Sequence, residues 1–193
     1  IESEEVCQDL LVKDLPLVGN HQIDNFKTAF TALTALIGIK KAKSAYDGYQ
    51  RYFAWPARLQ EILFKAVVSR LKPGSKVYLD GGHNIAAGVM IAEYLKQESR
   101  KYDHIYLICN QTEDRDIQGF IDEFKDIQLD FYSYHFKHNR PFYTKEQLGQ
   151  IFGNKYKDGF DHWHDVWKLD QGNSLFLICG SLFLAGELLG HYS

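Results

Sequence analysis

Residues Asp80-Gly81-Gly82-His83-Asn84 have the side-chain types and spacing of an anion-binding turn. They stand between a short apolar run and a helical pattern, so their glycines would let backbone N–H groups approach a ligand at a helix start. Asp80 could accept hydrogen bonds from ribose hydroxyls, and His83 could meet a phosphate or a carboxylate. The alternative is a tight turn from strand to helix in which Asn84 is the helix cap. The Walker pattern of a phosphate-binding loop occurs nowhere in the chain.

The segment Trp55-Pro56-Ala57-Arg58-Leu59-Gln60 offers a cation for such a ligand. Pro56 restricts the backbone, and Trp55 could anchor the loop on the core. Arg58 would then be held in one orientation, and its planar guanidinium suits the oxygens of a phosphate. The alternative for Arg58 is an ordinary surface salt bridge.

Two further polar segments favour structural roles. Ser181 follows Gly180 at a predicted helix start, where capping is the alternative to a ligand contact. No Gly-x-Ser-x-Gly pattern is present, which argues against a hydrolase serine. Asp114-Arg115-Asp116 is typical of a helix start, because acidic side chains there favour the helix dipole.

The histidines and cysteines do not predict a metal site. His135 and His138 form one close pair and His162 and His164 another, but neither pair has a cysteine or a clear third ligand nearby. The three cysteines are far apart and indicate neither a zinc knuckle nor a disulfide framework; they are Cys7, Cys109 and Cys179.

Short apolar runs alternate with helical patterns from residue 76 onward. The runs at 77–79, 105–109, 129–134 and 175–179 predict strands. Helices are predicted after each of them, the third beginning near Thr144, which forms a capping-box pattern with Gln147. This order predicts an α/β fold, Rossmann-like, with a mostly parallel sheet and helices on both faces.

The predicted sheet would gather the densest polar segments at one edge. Ligands of such sheets bind at the carboxyl ends of the strands. Those ends are followed here by residues 80–84, 110–114, 135–140 and 180–181. The sequence therefore predicts a ligand site at this edge.

The first part of the chain predicts a strand, a helix and a connection. Residues 15–18 could form a short strand. Asn20 can cap a helix that Gly38 ends, and its apolar face recurs every three or four residues at Ile23, Phe26, Phe30, Leu33 and Ile37. The polar stretch 40–50 is interpreted as a connection and a domain boundary.

Composition narrows the class of protein. The 193 residues are 45% hydrophobic and 24% charged, which is typical of a globular domain. The net charge of −3 gives no reason to expect nucleic acid or a membrane surface as a partner. No apolar run reaches the length of a membrane span, and the acidic start does not resemble a signal peptide. We therefore expect a cytoplasmic protein, and the start without Met suggests a cut inside a longer one.

Taken in order, these segments resemble the folylpolyglutamate synthase/dihydrofolate synthase family. Residues 15–22 with Asn25 look like the end of that family's central ATPase domain. Residues 55–60 look like its Trp-Pro-Gly-Arg segment, and residues 79–84 look like its Leu-Asp-Gly-Ala-His-Asn signature. Residues 114–116 are similar to its Asp-Lys-Asp turn, and residues 180–185 match its closing Gly-Ser-Leu-Tyr-like segment. The wider group is the Mur ligases, whose C-terminal domains have a Rossmann-like fold.

The resemblance implies an ATP-dependent amide ligase of folate biosynthesis and one-carbon metabolism that uses ATP and Mg²⁺. In the family, ATP phosphorylates a carboxylate of a folate or of dihydropteroate. The amine of L-glutamate then attacks the acyl phosphate and forms a γ-linked amide. Such an enzyme must align three ligands and neutralise the phosphate charge.

The motif positions carry the family's residue roles to this chain as expectations. Arg58 and Asp80 match residues that touch ATP, with Arg58 on phosphate and Asp80 on the ribose side. His83 and Ser181 match positions near the incoming glutamate and the phosphates, and they are the expected catalytic residues. Asn84 joins His83 in the expected nucleotide site. No metal ligand is expected in this chain.

The sequence departs from the family pattern at two motif residues and lacks some of the family's segments. Ala57 stands where the family has glycine, and Gly82 stands where it has alanine. The family's phosphate loop, Mg²⁺ ligands and modified lysine belong to an N-terminal domain and have no counterpart here. We therefore expect residues 1–48 to be a remnant of the central ATPase domain and residues 49–193 to be the C-terminal ligase domain. We expect this chain to be inactive without the missing part.

Two other functions stay open at this point. One is a stand-alone Rossmann-like nucleotide-binding module, and the other is the C-terminal domain of a peptidoglycan-type Mur ligase. A further expectation concerns helix 20–38, whose apolar face would dock on the C-terminal domain or on a second copy of the chain, giving a dimer.

Overall fold

A computed structural model describes residues 20–49 and 55–192, with backbone alone for residues 20, 21 and 49. The strand expected at 15–18 and Cys7 lie outside the described residues. The chain divides into two compact units, Ile1–Pro56 and Ala57–Ser193. No helix in the described part of the chain has both the length and the apolar character that a membrane crossing requires.

The first unit contains a pair of helices, α1 (Asn20–Ile37) and α2 (Ile39–Tyr49). Gly38 joins them at φ 79°, a left-handed conformation that glycine adopts readily. Phe26 and Phe30 on α1 pack against Ala42 and Tyr46 on α2. The helix at 20–38 is thus confirmed. The connection predicted over 40–50 is wrong for residues 40–49, because Ala42 and Tyr46 lie one helical turn apart and bury that face.

The second unit is built on a six-stranded sheet. In chain order the strands are β1 (Gln60–Glu61), β2 (Lys76–Leu79), β3 (His104–Cys109), β4 (Asp130–Tyr134), β5 (Tyr156–Phe160) and β6 (Ser174–Cys179). Their order across the sheet is β1-β2-β6-β3-β4-β5. Only β1 is antiparallel to its neighbour. The predicted α/β fold with a mostly parallel sheet is confirmed.

Helices connect these strands. They are α3 (Lys65–Val68), α4 (Ile85–Glu98), α5 (Ile117–Asp122), α6 (Lys145–Phe152), α7 (Trp163–Trp167) and α8 (Leu182–Tyr192), with 3₁₀ turns at Ser99–Lys101 and Gly153–Lys155. The capping box is confirmed, since Thr144 accepts from the Gln147 N–H and the Gln147 side chain accepts from the Thr144 N–H. Asp116 caps α5 by accepting from the Gly119 N–H, as its sequence context predicted.

The sheet is covered on both faces. Leu107 and Leu177 point into one apolar cluster with α4 and α5, whereas their neighbours Ile108 and Ile178 point into another with α7 and α8. All four side chains are fully buried. Each such side chain contributes about 1.5–3 kcal/mol by leaving water, so the two clusters stabilise the central strands that position the polar edge.

Four elements in this unit have no counterpart in the sequence prediction: β1 and α3, which have only two and four residues, and β5 and α7. β5 is an edge strand whose residues alternate irregularly between polar and apolar, with Gly159 near its end. α7 has only five residues, although it buries Trp163 and Trp167. Neither β5 nor α7 shows enough hydrophobic periodicity to be predicted from one sequence.

Candidate functional site

Three parallel neighbours, β2, β6 and β3, end at the same edge of the sheet. The Gly180 N–H donates to the Gly82 carbonyl at 2.9 Å, which ties the end of β6 to the turn after β2. The Asn110 amide donates to the Tyr134 carbonyl at 3.1 Å, which ties the end of β3 to that of β4. The structure therefore brings the predicted polar segments together at one edge.

Asp80 lies at the centre of the turn after β2 and is only 6% exposed. Its Oδ2 accepts from the Leu59 N–H at 2.8 Å, and its Oδ1 accepts from the Gly82 N–H at 2.6 Å. Hydrogen bonds from backbone N–H groups stabilise a buried carboxylate. Asp80 thus joins the two segments that the sequence singled out, residues 55–60 and 80–84.

The segment that Asp80 holds has a strained backbone. Ala57 has φ 55° and Leu59 has φ 44°, a region that costs a residue with a Cβ roughly 1–2 kcal/mol. Gln60 supports the same segment, because its Oε1 accepts from the Ala57 N–H at 3.0 Å. The Ala57 carbonyl in turn accepts from the Gly81 N–H at 2.9 Å. Sequence reasoning missed Gln60, which carries no motif signal beyond its place in residues 55–60.

Arg58 sits between these two strained residues and is half-buried. Its Nη1 donates to the Ala57 carbonyl at 3.1 Å. Within residues 20–49 and 55–192, no carboxylate lies within 4.0 Å of its guanidinium, so the surface salt bridge is not found there. Trp55 is 58% exposed. The anchoring of this loop by Trp55 stays a prediction, and hydrogen bonds of Ala57 and Leu59 hold the segment that follows.

His83 and Asn84 complete the turn after β2. The His83 Nδ1 lies 2.9 Å from the Gly81 carbonyl oxygen, which can only accept, so Nδ1 carries the proton. Neutral His83 then keeps Nε2 as an acceptor. Asn84 caps α4 with its Oδ1, which accepts from the Ala87 N–H at 2.9 Å. This is the structural alternative that the sequence offered for Asn84.

Ser181 begins α8 and is 5% exposed. Its Oγ accepts from the Phe183 N–H at 3.1 Å, so capping is the role that its contacts show. Gly180 before it has φ 100°, and a Cβ there would meet the Cys109 Sγ and lie 3.0 Å from the Asn110 carbonyl oxygen. Only glycine fits this close approach of β6 to the end of β3.

The glycine at position 82 also has a packing reason. A Cβ on Gly82 would lie 2.7 Å from the Ala87 Cβ and 2.8 Å from the Asp80 Oδ1. An alanine here would displace either α4 or the carboxylate. The close approach of α4 to this turn therefore explains why this chain has glycine where the family has alanine.

The end of β3 is a buried polar junction. The Asn110 Nδ2 donates to the Tyr134 and Tyr143 carbonyls, and its Oδ1 accepts from the Gln111 N–H at 2.8 Å. The Gln111 side-chain amide is buried and makes no hydrogen bond to a described residue. The junction fixes the spacing of β3, β4 and the segment before α6.

His135 lies at the end of β4 in a hydrogen-bonded network. Its Nε2 is 2.6 Å from the Ser133 Oγ, which lies 2.8 Å from the Tyr156 hydroxyl. Burial, and then the nearby Lys145 ammonium, lower the pKa of His135. No group of three or more His, Cys, Asp or Glu within the described residues could hold a metal ion.

The fold is similar to that of solved folate ligases. Mycobacterium tuberculosis folylpolyglutamate synthase, complexed with ADP, aligns with 93% of this chain at a TM-score of 0.73 and 19% identity. Escherichia coli FolC, in complex with DHPP and ADP, aligns with 92% at 0.65 and 24% identity. The bifunctional folylpolyglutamate synthase/dihydrofolate synthase of Yersinia pestis, complexed with AMPPNP and Mn, aligns with 74% at 0.58 and 16% identity.

These likenesses show the fold of this chain. Over the aligned residues the chain has the fold of these folylpolyglutamate synthase structures. The chain spans 41% of the length of the M. tuberculosis structure and 40% of the E. coli one. No protein-family model matches the chain, and no curated protein matches it.

Proposed function

We propose that this chain is the C-terminal part of an ATP-dependent folylpolyglutamate synthase/dihydrofolate synthase. The whole enzyme would add L-glutamate to a carboxylate of a folate or of dihydropteroate through an acyl phosphate. Two things support the proposal: the fold, and solved structures of that fold that hold ADP, AMPPNP or DHPP. The assignment of residues 1–48 to a remnant of the ATPase domain and of residues 49–193 to the ligase domain is part of the same proposal.

The observation that carries the proposal is the arrangement around Arg58. Its guanidinium has no carboxylate partner in the described part of the chain, donates to the Ala57 carbonyl and lies close to Gly81 in the turn that starts α4. A fixed cation next to a helix start suits a phosphate, because both supply hydrogen-bond donors to anionic oxygens. Among the described residues, these donors support a nucleotide phosphate at this edge.

The other site residues have proposed roles at the same edge. Nucleotide phosphates supply the electrophile for carboxylate activation. His83 would offer its Nε2 as a hydrogen-bond acceptor to the amine of the incoming glutamate. Asn84 keeps its amide hydrogens for the nucleotide while its oxygen caps α4. Ser181 would use its hydroxyl hydrogen toward the ligands while its lone pair caps α8.

A divalent metal would need ligands from elsewhere. The described residues contain no cluster of His, Cys, Asp or Glu fit for one. We propose that Mg²⁺ is held by the N-terminal ATPase domain of the whole enzyme. The partners of this chain are then that domain, the folate substrate and L-glutamate, in the cytoplasm.

A dimer through helix 20–38 also remains a proposal. Phe30 is buried within the helix pair, whereas Leu36 is 81% exposed and Ile37 43% exposed. The exposed end of the helix supports contact with a second copy or with another domain. Light scattering of the purified chain tests it: a dimer mass that falls to a monomer mass in Leu36→Glu supports the proposal, and a monomer mass in wild type contradicts it.

Turnover tests the proposed function. We expect no ATP hydrolysis by this chain with Mg²⁺, tetrahydrofolate or dihydropteroate, and L-glutamate. Adding the N-terminal ATPase domain of a homologous ligase should restore glutamate ligation, and Arg58→Ala should abolish that rescue while Arg100→Ala, an arginine far from the edge, should not. Tight ATP binding by the chain alone would instead support a stand-alone nucleotide-binding module.

A further inference from the structure

We infer that Asp80 and Gln60 are positioning residues that act through Arg58. This inference rests on the proposed function and changes the expected role of Asp80. In place of a contact with ribose, the contacts of Asp80 assign it the task of fixing the loop that carries the phosphate-binding cation.

Asp80 is placed to hold the loop and not to face a ligand. Both carboxylate oxygens accept backbone N–H groups, from Leu59 at 2.8 Å and from Gly82 at 2.6 Å. The residue is 6% exposed, so nearly all of its surface faces protein. Burying a charged carboxylate without hydrogen-bond donors would be strongly unfavourable. The two N–H groups therefore stabilise the charge of Asp80, and the carboxylate in turn keeps the loop in place.

Gln60 holds the other end of the same loop. Its Oε1 accepts from the Ala57 N–H at 3.0 Å, and its backbone pairs with Leu79 in the sheet. Ala57 and Leu59, on either side of Arg58, thus each donate a backbone hydrogen bond to a different side chain. Left-handed backbone angles at two non-glycine residues are unfavourable, so we attribute them to these contacts.

The result is a fixed direction for the Arg58 side chain. Its Nη1 donates to the Ala57 carbonyl, which also accepts from the Gly81 N–H. Reversal of φ at Ala57 or Leu59 would redirect the Cα–Cβ bond of Arg58 and move the guanidinium away from the turn. Loss of Asp80 should therefore affect ligand binding through Arg58.

The first test needs no ligand. Nuclear magnetic resonance of the Arg58 Nε–H group in the full 193-residue chain reports whether the side chain is ordered. We expect an ordered signal in wild type and a mobile one in Asp80→Asn and in Gln60→Ala, with faster hydrogen exchange of the Leu59 amide in Asp80→Asn. Asp170→Asn is the matched control, because Asp170 is a buried carboxylate that accepts backbone N–H groups at the opposite edge. An Arg58 signal that stays ordered in Asp80→Asn overturns the inference.

The second test is a double-mutant cycle with ADP as the probe. Arg58→Ala should weaken ADP binding about tenfold or more, since a charge-assisted hydrogen bond is lost. Asp80→Asn should weaken ADP binding by a similar factor when Arg58 is present. It should weaken ADP binding no further in a chain that already carries Arg58→Ala. Additive losses would mean that Asp80 touches the nucleotide itself and would overturn the inference.

The two tests separate this inference from the proposed function. If Asp80 orders Arg58 but Arg58→Ala leaves the rescue of ligation by the added ATPase domain unchanged, the proposed function fails and the positioning role stands. If ADP binds through Arg58 and Asp80→Asn leaves both order and affinity unchanged, the positioning role fails and the proposed function stands.

Discussion

Asp80 and Asp170 are buried aspartates at opposite edges of the same sheet, and comparing them distinguishes a packing role from the proposed ligand site. Asp170, 5% exposed, precedes β6 and accepts from the Lys72 and Gly172 N–H groups and from the Ser75 hydroxyl. Asp80 follows β2 and accepts from two backbone N–H groups. Both carboxylates tie a loop to the end of a strand.

The loops that they hold differ in backbone strain. At the Asp170 edge, the left-handed positions are Gly74, Gly172 and Asn173, residue types that adopt this conformation at little cost. In the loop that Asp80 holds they are Ala57 and Leu59, whereas Gly180 is the left-handed glycine at the same edge. Strain that a fold could avoid with glycine is typical of functional sites, and here it flanks the arginine without a carboxylate partner in the described residues. Under the proposed function, similar clamps serve packing at one edge and a ligand at the other.

The largest expected effect is on stability at the Asp170 edge. Asp170→Ala would leave the Lys72 and Gly172 N–H groups and the Ser75 hydroxyl without their acceptor in a buried loop. We expect a loss of about 3 kcal/mol in the free energy of unfolding, measured by urea denaturation. Arg58 order and ADP affinity should not change. The exposed cap variant Asp116→Ala serves as the control and should lose only about 1 kcal/mol.

Asp80→Ala should cost less stability than Asp170→Ala. It also leaves two N–H groups without an acceptor, but release of the left-handed conformations at Ala57 and Leu59 returns part of the energy. We expect a loss of about 1–2 kcal/mol, measured under the same conditions. Equal losses for the two variants would show that the strain at residues 57–59 is not real.

Ala57→Gly tests that strain directly. Glycine removes the Cβ that disfavours φ 55°, but it also costs entropy and removes a buried methyl group, since Ala57 is 3% exposed. These contributions nearly cancel, so we expect the free energy of unfolding to change by less than about 0.5 kcal/mol. Ala32→Gly, at an exposed position inside α1, is the matched control and should lose about 1 kcal/mol. A loss at Ala57→Gly as large as that at Ala32→Gly would contradict the assignment of strain.

The smallest effect is a pH dependence that belongs to Asp170. Burial raises the pKa of Asp170, but the hydrogen bonds from Lys72, Gly172, Ser75 and Ser174 outweigh burial and lower it from 3.8. Because the folded-state pKa is lowered, its contribution is present above the unfolded-state pKa and disappears as pH falls through the folded-state value. Urea midpoints between about pH 5 and pH 2 should fall more steeply in wild type than in Asp170→Asn. Parallel curves would contradict this assignment.

Much of the fold could be predicted from the sequence because its signals are local. The central strands β2, β3 and β6 are short apolar runs, and the cap at Thr144 is a four-residue pattern. β5 and α2 could not be predicted in the same way. β5 is an edge strand half open to solvent, and α2 buries only Ala42 fully. β5 is stabilised by neighbours that are distant in sequence, and α2 is stabilised through a single contact face.

The segments that form the candidate site could be predicted from the sequence, but the contacts between them could not. Parallel strands guaranteed that residues 80–84 and 180–181 meet at one edge. The contacts of Asp80 with the loop 57–60 depend on backbone angles that no side-chain pattern encodes. The one available signal was Ala57, which stands where the resembling family has glycine, and the observed φ of 55° gives the physical reason for a glycine there.

The most direct measurement of the central claim is a calorimetric titration of ADP into the wild-type chain and into Arg58→Ala, with Arg100→Ala as the control. Wild type and Arg100→Ala should bind ADP weakly, with a dissociation constant on the order of 1 mM, and Arg58→Ala should bind about tenfold or more weakly. Equal affinity in all three chains would contradict the account, because Arg58 would then not be the cation that this edge of the sheet holds for a phosphate.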